Sequence, residues 1–170
     1  MINNTLASLG GRGVDFNYIP LNHVDPGTGS FLCTPEFDCA ATAFDSCLTD
    51  LVRDPYGTLA ARSGAVNQLA LSSFLACFEG PFANQEVQTN ATRRRPCFDA
   101  SFGTADANPW RAVTSCAADP SKVGPIMVAL NRTRAPMYAK LQPKPGTFPH
   151  IFVDGVHQWN NSWTSLLRTI

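Results

Sequence analysis

Apolar residues recur at helical spacing through the middle of the chain and switch to short alternating or continuous runs only near its two ends. From Phe37 to Val52, Cys39, Ala43, Phe44, Cys47 and Leu51 fall on one face, so a helix with two cysteines two turns apart is predicted. Ser63 to Cys77 repeats the pattern with Val66, Leu69, Ala70, Phe74 and Cys77, and Ser63 is placed to cap it. Trp110 to Cys116, with Pro109 at its start, and Lys122 to Leu130 are predicted as two shorter helices. Toward the start, Ile2 to Leu9 is predicted as a helix stopped by Gly10 and Gly11, and Val14 to Ile19 alternates like a strand closed by Pro20.

Between these segments the chain is punctuated. Asp25 to Ser30 is a Pro/Gly/Thr-rich loop, and Leu141 to Pro149 is a proline-rich connection that cannot be helical. Phe82 to Thr92 is predicted as a weak helix or loop, with Arg93-Arg94-Arg95-Pro96 as a solvated basic tip. Ile151–Val153 and Val156–Gln158 flank Asp154-Gly155, the dipeptide preferred in a type I′ hairpin turn. A last helix is expected from near Ser162 to Ile170. No repeat or low-complexity segment interrupts this order, and 170 residues suit one domain, 1–170.

Charge adds little. Thirteen Lys+Arg balance thirteen Asp+Glu, so nothing electrostatic points to nucleic acid or an anionic membrane surface, and no membrane span is expected. The six cysteines change more: Cys33, Cys39, Cys47, Cys77, Cys97 and Cys116 are an even number without the close C-x-x-C pairs of a structural zinc site, and three scattered histidines (His23, His150, His157) add no metal site. Neither a metal nor another cofactor is expected. Sequons at Asn3, Asn90, Asn131 and Asn160 join the cysteines in naming an oxidising, glycosylating compartment, so the six are read as disulfide staples. Residues 1–20 nevertheless carry neither the basic segment nor the apolar run of about 7–15 residues of a signal peptide. Six cysteines allow about fifteen connectivities. One exclusion is geometric: two helical turns set Cys39 and Cys47 roughly 12 Å apart, beyond the roughly 7 Å a disulfide spans, so they need different partners. Cys33 is expected to take one of them, with Cys77, Cys97 and Cys116 supplying the rest.

Four segments together resemble the gamma-interferon-inducible lysosomal thiol reductase (GILT) family. They are the strand-like Val14 to Pro20; the helix end Phe74-Leu75-Ala76-Cys77-Phe78-Glu79; the helical pair Cys97 and Cys116 with Trp110 between; and Phe148-Pro149-His150-Ile151-Phe152-Val153-Asp154-Gly155. The departures are equally specific. Cys33-Thr34-Pro35-Glu36-Phe37-Asp38-Cys39 lacks the family's Gln-His-Gly and is one residue short, although the eight-residue step from Cys39 to Cys47 is kept. No C-x-x-C occurs in the 170 residues. The resemblance implies an α/β, thioredoxin-like fold with a cysteine-rich helical insertion, its first core strand and redox pair lying before Met1, so the chain is expected to be N-terminally truncated.

The implied activity is thiol-disulfide oxidoreduction on disulfide-containing protein substrates, in a secretory, lysosomal or extracellular setting. A thiolate attacks a substrate sulfur and a second cysteine resolves the mixed disulfide. By the same resemblance Pro149 is cis and Phe148 presents its backbone to the substrate chain as an added strand, so both are substrate-binding candidates; His150 is read as an exposed residue with no role. Without its redox pair this chain is expected to be inactive, and no catalytic residue is assigned within it. The alternative is a redox-inactive, thioredoxin-like secreted glycoprotein that binds peptides or protein partners.

Overall fold

The computed structural model describes residues 39–54, 64–78, 91–103, 108–139, 152–153 and 156–157, together with Thr28. Among the described residues five helices form the body: α1 (Cys39–Arg53), α2 (Gly64–Phe78), α3 (Ala91–Phe102), α4 (Asn108–Ala117) and α5 (Pro120–Ala139). A two-residue antiparallel pair follows, β1 (Phe152–Val153) with β2 (Val156–His157), in the register Phe152 to His157 and Val153 to Val156.

The α/β, thioredoxin-like class is therefore corrected: the described residues make a helical fold, and their strand pairing is confined to this small hairpin. The physical reason lies in how each element satisfies its backbone. A helix closes its own hydrogen bonds, and these helices bury apolar side chains on one another without a sheet. The α/β expectation came from the order of elements and from the resemblance, whereas the only hairpin signal with a local physical basis was Asp154-Gly155. The predicted helix Ile2–Leu9, strand Val14–Ile19 and helix from Ser162 lie outside the described residues.

Helix α1 is the axis of the assembly, packing on α2, α4 and α5, while α3 packs on α2 and α5 also meets α4. Its central position is visible in its burial. Phe44, Cys47, Leu48 and Val52 are buried at helical spacing, and the polar Asp45, Ser46 and Thr49 are buried beside them. Helix α2 is apolar on several sides and buries Ala70, Leu71, Phe74 and Phe78. Val113 of α4 and Val123, Met127 and Leu130 of α5 complete the core from the other helices.

The helix ends follow from local chemistry. Gly103 closes α3 at φ 86°, a left-handed conformation that favours glycine, and its N–H reaches the Asp99 carbonyl at 2.9 Å. Asp119 begins α5: its Oδ1 accepts from the Ser121 amide at 3.0 Å and from the Ser121 hydroxyl at 2.6 Å, and Pro120 occupies the first helical position, where no N–H is required. The Ser121 hydroxyl holds the Asp119 carboxyl below its ordinary range against the opposing effect of desolvation, and the Ser121 amide and Lys122 add to the lowering.

Two helices run past their predicted bounds and through prolines. Pro96 lies within α3, and Pro125 and Pro136 lie within α5, each removing one backbone donor from the ladder. Pro96, Pro125 and Pro136 are all on exposed faces, where water can bond the carbonyl left without its N–H partner. Thus α5 runs to Ala139 instead of ending at Leu130, and the basic run is part of a helix instead of a solvated tip.

Aromatic rings fill the centre. Phe44 of α1 lies 5.7 Å from Phe74 of α2, 6.4 Å from Phe98 of α3 and 5.4 Å from Trp110 of α4, centroid to centroid. Replacing Phe44 with Ala is expected to cost about 3–5 kcal/mol, while Val66→Ala at an exposed α2 position should stay within about 0.5 kcal/mol. Urea unfolding followed by circular dichroism measures both; equal losses would contradict this packing.

Candidate functional site

The feature with the most chemistry is a pair of inter-helix disulfides around a buried guanidinium. Cys47 of α1 is bonded to Cys116 of α4, with their Cα atoms 6.1 Å apart, and Cys77 at the end of α2 is bonded to Cys97 in α3, with a Cα separation of 5.6 Å. Cys39 is also disulfide-bonded, so Cys39 and Cys47 do have different partners. The first bridge closes 69 residues of sequence and the second 20. In the chain-entropy account those loops correspond to about 4 and 3 kcal/mol of restriction on the unfolded chain.

The bridges differ in their surroundings. Cys47 and Cys97 are both 3% exposed and belong to the core, and Cys116 is half-buried. Cys77, by contrast, is exposed. It ends the last turn of α2 between Ala76, also exposed, and the buried Phe78, so the chain turns its apolar ring inward and its sulfur-bearing residue outward. A bonded cysteine holds no thiolate, so these sulfurs are electrophiles and not nucleophiles.

Arg94 was missed by the reading of the basic triplet as surface. It is 9% exposed, with its guanidinium carbon 5.0 Å from the Phe44 centroid and 5.1 Å from that of Phe78, and its Nε has no hydrogen-bond partner. Two π-faces offset part of the cost of burying this charge, at about 0.5–2 kcal/mol for each contact. Arg95 sits 5.0 Å above the Trp110 ring, and its Nε donates to both Asp99 carboxylate oxygens at 2.7 Å. The signal in the sequence was helical spacing: Arg94 precedes Phe98, and Arg95 precedes Asp99, by four residues.

The remaining candidates are dispersed or lie elsewhere. Phe148, Pro149, Cys33, Asn3, Asn90 and Asn160 are outside the described residues, as are His23 and His150. Asn131 stands within α5, half-buried, with its amide oxygen enclosed, and the Thr133 hydroxyl of the same sequon donates to the Ala129 carbonyl at 3.2 Å. Among the described residues no group of three or more His, Cys, Asp or Glu could hold a metal ion, and no helix is long and apolar enough to cross a membrane.

No family model, curated protein or solved structure matches the chain.

If the aromatic faces are what accommodate Arg94, a side chain of similar length without charge should serve as well. Arg94→Met is expected to fall within about 1 kcal/mol of the natural chain, because it also removes a buried charge and an unmet donor. Arg94→Ala should cost about 2 kcal/mol or more through lost packing. Urea titration of the two variants checks this; a loss above about 3 kcal/mol for Met would point to a buried anionic partner instead.

Proposed function

We propose that the chain is part of a GILT-type thiol-disulfide oxidoreductase of the secretory or lysosomal system, acting on disulfide-containing proteins, and that its own helical body holds no redox centre. The observation that carries this reading is the way the bridges connect the segments of resemblance. Cys77–Cys97 ties the Phe74–Glu79 helix end to the first member of the helical pair, and Cys47–Cys116 ties the Cys39-to-Cys47 step to the second member. All four of these cysteines stand at positions the resemblance picks out, and in the structure they work as staples. The helical fold itself contributes no argument for the reductase.

A reductase of this type needs a thiolate and a resolving cysteine close together. The 170 residues contain no C-x-x-C, and no cysteine is free among the described residues. The attacking pair therefore has to come from sequence other than these residues. The locked cysteines also favour a second reading, a redox-inactive secreted glycoprotein that binds peptides or protein partners.

One assay separates the two. The 170-residue chain is expected to give no insulin-disulfide reduction with dithiothreitol as electron source, at acidic or neutral pH. Protein recovered from its native source with an antibody against the chain is expected to reduce insulin well above that background. Native protein that is equally inactive but retains bound polypeptide would replace the reductase reading with the binding one.

A further inference from the structure

The two bridges differ in how exposed their cysteine residues are, and that difference predicts chemistry. Thiol-disulfide exchange requires a thiolate to approach one sulfur along the S–S axis while the other sulfur leaves with the bonding pair. In Cys47–Cys116 one residue is buried and the other half-buried, so either approach meets the core. In Cys77–Cys97 the exposed residue Cys77 stands in the last turn of α2, and the leaving residue Cys97 is buried in α3. Approach to Cys77 is from solvent.

The leaving side is also prepared. Arg94 precedes Cys97 by three residues on the same helix, which sets the two on one face one turn apart. Its guanidinium is buried against Phe44 and Phe78, and its Nε has no acceptor. A thiolate formed at Cys97 would stand about one helical turn from Arg94 on the same helix, and a neighbouring guanidinium is what lowers the cost of a thiolate.

We propose that Cys77–Cys97 is a site of reversible S-thiolation by low-molecular-weight thiols of the glutathione type, with Cys77 as the attacked sulfur and Cys97 as the leaving one. The incoming thiolate forms a new disulfide with Cys77, the Cys77–Cys97 bond breaks, and its electron pair stays on Cys97 as a thiolate. One thiolate is consumed and one is released, so no external oxidant or reductant enters. Return attack by Cys97 on Cys77 expels the small thiol and restores the bridge. Cys47–Cys116 keeps α1 and α4 joined throughout, while α2 and α3 lose their covalent tie. This site is independent of the reductase reading, since it requires only residues of this chain.

The test uses the full chain, glutathione as the probe, and no denaturant. After timed exposure, open thiols are trapped with N-ethylmaleimide and the products are mapped by peptide mass spectrometry. The expected product carries glutathione on Cys77 and maleimide on Cys97, with Cys47–Cys116 intact, and forms at least about tenfold faster than any opening of the second bridge. In Arg94→Met, the pH midpoint for re-closure by Cys97 should move upward, a readout that a purely structural role for Arg94 would leave in place. Glutathione on Cys97, first opening at Cys47–Cys116, or no adduct at either bridge would overturn the proposal.

Discussion

The fold depends on the contact of one ring, Phe44, with three other helices at once. Its neighbours are Phe74, Phe98 and Trp110, and the Arg94 guanidinium covers one of its faces. Tilted and edge-to-face pairs of this kind add about 0.5–1.5 kcal/mol each beyond the area they bury. Because the pairs share one ring, they couple the positions of α1, α2, α3 and α4. The disulfides then act on helices that the aromatic cluster has already brought together: α1 to α4 through Cys47–Cys116, and α2 to α3 through Cys77–Cys97.

The same arrangement explains how a chain with so few charges can bury Arg94. Only 15% of residues are charged, and an unpaired buried charge in an apolar medium is costly. Arginine is the one strong cation whose flat, weakly hydrated head can lie on aromatic faces. Arg94 has two of them, from Phe44 and Phe78, on different helices. A lysine there would have a compact, strongly hydrated head and no planar surface to match. The guanidinium thus belongs to the packing, and it leaves a cation close to the turn of α3 that carries Cys97.

Much of the helical body was legible. Phe37–Val52 and Ser63–Cys77 anticipate α1 and α2 within two residues: apolar spacing of three and four is strong in the first, the second is apolar on several sides, and neither stretch contains an interior proline. The hairpin at Val153 and Val156 was legible from a dipeptide that favours one turn type. The separate partners of Cys39 and Cys47 followed from helix rise alone. What could not be read was set by long-range contacts. Pro96 and Pro136 stand inside helices that run past the predicted bounds, where packing of the flanking turns outweighs one lost bond at each. Arg94 looked like surface because its aromatic partners come from α1 and α2, 50 and 16 residues away in sequence. The fold class failed for a further reason: element order and a family likeness suggested a sheet, while the described residues supply only two short strands for one.

The central claim is that two bridges, each joining different helices, close around one aromatic cluster. Peptide mapping of the non-reduced chain, with free thiols blocked before digestion, tests it most directly. Linked peptides containing Cys47 with Cys116 and Cys77 with Cys97 are expected. Recovery of Cys97 linked to Cys116, or of Cys47 linked to Cys77, would contradict this arrangement.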